Sequence, residues 1–102
     1  MLTLPIKKKW FDMILSGEKT EEYRENKPYW RQRLLRAGIV QNLRADMTIQ
    51  LILRNGYSKD APKAMIEVDG ISTGYGNPEW GAEPGVVYLR LHIKRAVIYD
   101  ET

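Results

Sequence analysis

The sequence predicts an α+β fold: a small β-barrel of about five to six mostly antiparallel strands with two short helices at its mouth. Helical spacing of apolar residues is confined to the first third of the chain, and from Met47 onward the apolar residues recur at every second position. At 102 residues the chain can bury one core and not two, so a single domain over residues 1–102 is expected. About five or six short strands cannot build the two sheets of an ordinary sandwich. Closed on themselves, they lose their exposed edges.

The elements follow in order. Leu2 to Ile6 is a short apolar segment that Pro5 marks as a strand start or edge. Trp10, Phe11, Ile14 and Leu15 form a helical stripe, with Lys8, Lys9, Asp12 and Ser16 on the other side, and Gly17 suits the left-handed residue that ends a helix. Glu21 to Glu25 reads as a strand. Asn26-Lys27-Pro28 signals a helix start, with Asn26 as N-cap; Tyr29, Trp30, Leu34 and Leu35 form the apolar side of that helix, and Gly38 closes it. Met47, Ile49, Leu51 and Leu53 alternate along the next strand, and Asn55-Gly56 opens a connection longer than a tight hairpin. Ala64 to Ile71 resumes a strand. Ser72 to Gly85, rich in Gly and Pro, reads as a long loop of the kind that carries function. Val86 to Ile93 is a strand, Ala96 to Tyr99 a last short one, and Asp100 to Thr102 a tail.

Composition narrows the function classes. Hydrophobic residues are 43% and charged residues 28%, values of an ordinary globular domain. The chain has no cysteine, so neither a disulfide framework nor a cysteine-ligated metal site is available, and a reducing cytoplasm suits it. No apolar run approaches the ~20 residues of a membrane span, and the N-terminus places its lysines after the apolar stretch, the reverse of a secretory signal. No membrane partner is therefore expected. The net charge is only +3, but the bases cluster: Arg24, Lys27, Arg31, Arg33, Arg36 and Arg44 stand against the single acid Glu25, and Lys7 to Lys9 add a second group. Such a distribution fits either a solvated helix face or a polyanionic partner such as nucleic acid. Neither a G-x-G-x-x-G nor a Walker-type loop is present, and no cofactor is expected.

The stretch Gly17-Glu18-Lys19-Thr20-Glu21-Glu22-Tyr23-Arg24 gathers chemistry at the spacing G-x-K-x-x-E-x-R. On a strand, Glu22 and Arg24 share one face and Glu21 and Tyr23 the other, while Lys19, in the preceding turn, can lean over the Glu22 face. Glu22 between two cations should stay ionised, which suits a fixed acceptor better than a general acid. Lys19 near Arg24 is expected to have a lowered pKa. The alternative is an ordinary ion pair on a barrel strand. His92, the single histidine, lies between Arg90 and Lys94 without metal-ligating partners, so no metal site is expected. Tyr57, Tyr75 and Trp80 sit in loops, where an aromatic ring can stack on a base or fold onto the barrel. Trp10 and Trp30 read as core, and Glu67 as the outward residue of an alternating strand.

Gly17, Lys19, Glu22 and Arg24, after Leu4-Pro5-Ile6-Lys7 and the Trp10-to-Leu15 helix, resemble the ASCH domain family of the PUA-like β-barrel superfamily. The resemblance extends through the Ala64-to-Ile71 strand, the Gly/Trp loop and the Val86-to-Ile93 strand. It implies a PUA-like barrel with a cleft beside the first helix, lined by the motif, that binds RNA or a nucleotide-like small molecule. Lys19, Thr20, Glu22, Arg24, Arg31 and Trp80 are the ligand-binding candidates. Some members are small amidohydrolases acting on N4-acetylcytidine-type nucleosides, in which the motif lysine and a threonine three residues on are catalytic. Lys19 matches that lysine, and Glu22 stands at the threonine position. Others are ribonucleases. The hydrolase alternative therefore rests on Lys19 and Glu22, and a third alternative is a protein-interaction module built on Ser72 to Gly85.

Overall fold

The computed structural model describes residues 1–39 and 47–100. Arg44, counted above among the clustered bases, and residues 101–102 of the tail lie outside the described residues. The elements run β1 (Thr3–Pro5), α1 (Lys8–Leu15), β2 (Glu21–Glu25), α2 (Pro28–Arg36), β3 (Ile49–Arg54), β4 (Lys63–Tyr75), a 3-10 turn (Pro78–Trp80) and β5 (Val87–Tyr99).

The strands form one mixed sheet of five strands in the order β1-β3-β4-β5-β2. β1 is parallel to β3, and every other pairing is antiparallel. The sheet curls because β4 and β5, each 13 residues long, serve different neighbours along their lengths. β3 pairs with Lys63 to Val68, whereas β2 pairs with the Tyr88-to-His92 stretch. Between these halves the β4–β5 register slips around Val68, leaving Asp69 and Lys94 out of the pairing. Such a bulge sharpens local twist and bends the ribbon. The outcome is a half-barrel whose edge strands β1 and β2 approach without a backbone ladder. Arg24 spans the seam instead: its Nη2 donates to the Pro5 carbonyl at 2.8 Å.

Apolar side chains fill the concave side: Leu4 of β1, Leu51 and Leu53 of β3, Ala64, Ile66 and Val68 of β4, and Leu89 and Leu91 of β5. Phe11 and Ile14 of α1 and Leu34 of α2 cap this core. Each Leu, Ile, Val or Phe buried there contributes about 1.5–3 kcal/mol.

Several expectations are corrected. Val86 to Ile93 and Ala96 to Tyr99 are one strand, because the bulge lets the ribbon bend without breaking. The Ser72-to-Gly85 segment is shorter as a loop than its composition suggests, since β4 continues through Tyr75 paired with Val87. Asn26 does not cap α2; Lys27 holds the N-cap position without a side-chain bond, and Asn26 Oδ1 accepts from Arg31 Nη1 at 2.8 Å. Tyr29 and Leu35 are 59% and 61% exposed, so the buried face of α2 is narrower than the stripe implied. Pro28 opens α2 at its first turn, and Gly17 and Gly38 adopt φ of +85° and +90° after the two helices, as expected.

Candidate functional site

β2 carries the site because its register turns charged side chains toward the barrel interior. Glu22 pairs with Leu91 and Arg24 with Leu89, so both project to the face that the core leucines occupy. The turn after α1, with Gly17 in the left-handed region, returns the chain so that Lys19 N bonds to the Met13 carbonyl at 3.0 Å. This fixes Lys19 directly before the strand.

The three side chains form a chain of charge. Lys19 is 1% exposed and Glu22 is 4% exposed. Lys19 Nζ lies 3.1 Å from Glu22 Oε1 and donates to the Trp80 carbonyl at 2.9 Å. Arg24 Nη1 donates to Glu22 Oε2 at 2.8 Å, and the Tyr23 amide donates to Glu22 Oε1 at 3.2 Å. The ammonium also sits 4.6 Å from the Tyr23 ring centroid and 5.6 Å from that of Trp10, a favourable placement for a cation. Burial pushes the Lys19 pKa below its usual 10.5; Glu22 opposes that shift. Its main cause is thus desolvation, where the sequence pointed to Arg24.

A cavity of about 240 Å³ opens over this chain at the β1–β2 seam, lined in part by Pro5, Lys7, Trp10, Glu22, Arg24, Trp80 and Tyr88. Gly81 makes room for it. Its φ is +100°, and a Cβ there would lie 2.9 Å from the Trp10 ring. Lys19 is not on the lining: it stands behind Glu22. A carboxylate offers about four acceptor positions; the described contacts occupy three of those on Glu22, which itself lines the cavity.

The structure therefore groups Lys19, Glu22, Arg24 and Trp80, and leaves two candidates elsewhere. Thr20 is exposed ahead of β2, and Arg31 is exposed on α2, bonded to Asn26. Trp10 is half-buried and faces the cavity rather than the core, whereas Trp30 is half-buried and packs against the core as expected, with Arg24 stacked 5.3 Å from its ring centroid. Tyr88 was missed altogether. Its position in an alternating strand carries no signal that the 3-10 turn would fold over it, with the Glu83 amide donating to its hydroxyl at 3.0 Å. Glu67 lies outward, 3.9 Å from Arg95. Among the described residues no group of three or more His, Cys, Asp or Glu side chains could hold a metal ion, and no helix is long and apolar enough to cross a membrane.

Compared with family models, curated proteins and solved structures, the chain matches none. The likeness to ASCH domains stands on the sequence resemblance alone.

Proposed function

We propose that this chain binds RNA or a nucleotide-like small molecule in the seam cavity, in the manner of an ASCH domain on a PUA-like barrel. The observation that carries the reading is Glu22, a buried carboxylate clamped by Lys19 and Arg24 that lines a cavity walled by aromatic rings. A nucleobase matches that surface: a flat ring for Trp10, Trp80 or Tyr88, and an exocyclic amine for Glu22. Lys7 on the rim supplies charge for a phosphate. A volume somewhat below the usual ~300–1,000 Å³ of small-molecule sites suits one splayed base.

The test is tryptophan fluorescence with cytidine and uridine monophosphates and a short single-stranded RNA. Quenching should be stronger for cytidine, whose amine Glu22 can accept. RNA affinity should fall with salt at a log–log slope of about −0.7 for each phosphate held. Flat titrations to millimolar nucleotide, together with no RNA retention at low salt, refute the reading. The second reading is a hydrolase, with Glu22 at the cavity wall and Lys19, its pKa lowered by burial, directly behind it. Lys19→Met, assayed on acylated cytidines, removes that reading if turnover is unchanged.

A further inference from the structure

The convex face of the same sheet holds a second polar cluster that the seam cavity does not use. Opposed residues on paired strands share a face, and the pairs Glu21–His92, Gly70–His92 and Ser72–Arg90 set one side chain from each of three adjacent strands in a row. Ser72 Oγ lies 2.8 Å from His92 Nε2, and His92 Nδ1 lies 3.4 Å from Glu21 Oε2. Arg90 Nε donates to Ser72 Oγ at 2.9 Å.

Arginine can only donate, and this gives the row a direction. With Arg90 donating into Ser72 Oγ, the serine hydrogen is free to point at His92 Nε2. In the tautomer that carries its hydrogen on Nδ1, facing the Glu21 carboxylate, Nε2 accepts from that hydroxyl. This is the arrangement of a nucleophile, a general base and the carboxylate that orients the base. The two glycines flanking Ser72 on this face clear the ground around it. Gly70 leaves nothing opposite His92, and a Cβ at Gly74 would lie 2.8–2.9 Å from the Arg90 guanidinium. The spelling Gly70-Ile71-Ser72-Thr73-Gly74 matches the G-x-S-x-G of hydrolase nucleophile elbows, but here it runs straight within β4 and its glycines serve clearance rather than a turn. The His92 side chain is 37% exposed, so the row is open to solvent.

We propose that Ser72, His92 and Glu21 form a nucleophilic relay that accepts the acyl group of small, unhindered carboxylic esters, with the Arg90 guanidinium facing the developing oxyanion. Ser72 Oγ bonds to the acyl carbon as the ester C–O bond breaks. The serine proton passes to His92 Nε2 and from there to the departing alkoxide, which leaves as an alcohol. Water then cleaves the acyl-serine: its proton goes to His92 and on to Ser72 Oγ, and a carboxylic acid is released. The row lies on the opposite face from the seam cavity, joined to it through Tyr23, whose hydroxyl donates to Glu21 Oε1 at 2.8 Å, and the proposal does not rest on the function proposed for that cavity.

The test is labelling of the intact chain with a fluorophosphonate, located by peptide mass spectrometry, alongside p-nitrophenyl acetate hydrolysis. The adduct should fall on Ser72 and spare Ser16 and Ser58, which lie outside the row. Ser72→Ala should lose label and hydrolysis together. His92→Gln should slow labelling at least about 100-fold, the lower end of what a positioned general base contributes. Circular dichroism melts check that both variants fold; Ser58→Ala, in an exposed loop, should behave as wild type. No adduct on folded wild-type protein, an adduct on Ser16 or Ser58 instead, or equal labelling of His92→Gln each overturns the proposal. A variant that does not fold is replaced by labelling wild type against Gly74→Val, whose side chain displaces Arg90; an unchanged rate there also overturns it.

Discussion

Replacing Glu22 by glutamine tests the charge chain at its centre. The amide keeps the shape of the carboxylate and removes its charge, leaving the Lys19 ammonium, whose side chain is 0% exposed, without an anion. Removing one partner from a buried pair costs about 3–5 kcal/mol. The cost has a ceiling that depends on pH, because Lys19 can escape it by losing its proton. That ceiling is about 1.4 kcal/mol for each pH unit below the ordinary lysine value of 10.5, hence roughly 5 kcal/mol at pH 7 and roughly 2 kcal/mol at pH 9. Burial lowers the folded-state pKa of Lys19, so between that value and 10.5 the unfolded chain binds more protons than the native one. Stability therefore rises with pH across that window, and the removal of Glu22 widens the window downward. Urea unfolding at pH 7 and pH 9 should show Glu22→Gln less stable by about 3–5 kcal/mol at the lower pH, with the deficit about 2 kcal/mol smaller at the higher. A deficit under about 1 kcal/mol at pH 7, or one equal at both pH values, would mean that Glu22 does not compensate a buried ammonium.

Three further outcomes are expected. Burial raises the Tyr23 phenol to about 12 from 10, so the native state holds its proton longer than the unfolded chain and stability falls between pH 10 and 12; unfolding at pH 8 and pH 11.5 should show this loss, up to about 2 kcal/mol, in wild type and not in Tyr23→Phe, which should itself cost about 1–3 kcal/mol at pH 8 by leaving Glu21 and the Asn77 amide without the hydroxyl. Gly81→Ala should destabilise more than Gly85→Ala: both glycines have positive φ, costing an alanine about 1–2 kcal/mol, but only at position 81 does the Cβ meet Trp10, and equal melting shifts would contradict that contact. Arg24→Lys keeps the charge beside Glu22 but gives up the planar fork that also reaches Pro5, so it should cost about 1–2 kcal/mol and speed amide exchange at Leu4; protection unchanged at β1 would show that Arg24 does not hold the seam.

The two helices and the alternating pattern of β3 to β5 are legible in the spacing of neighbouring apolar residues, and Glu21–Glu25 reads as a strand without such spacing. The sequence by itself also placed Glu22 and Arg24 on one face with Lys19 leaning over them, since strand geometry alone dictates that much. The continuity of β5 needed the tertiary structure, because the bulge that bends it is a property of its pairing with β4. The role of Trp10 needed it too: a helical stripe cannot distinguish a ring packed in the core from one facing a buried cation. The seam cavity arises where β1 and β2, the two edges of the sheet, are brought together without pairing. The row of Glu21, His92 and Ser72 spans separations of 71 and 20 residues, and only the register across three strands makes neighbours of them.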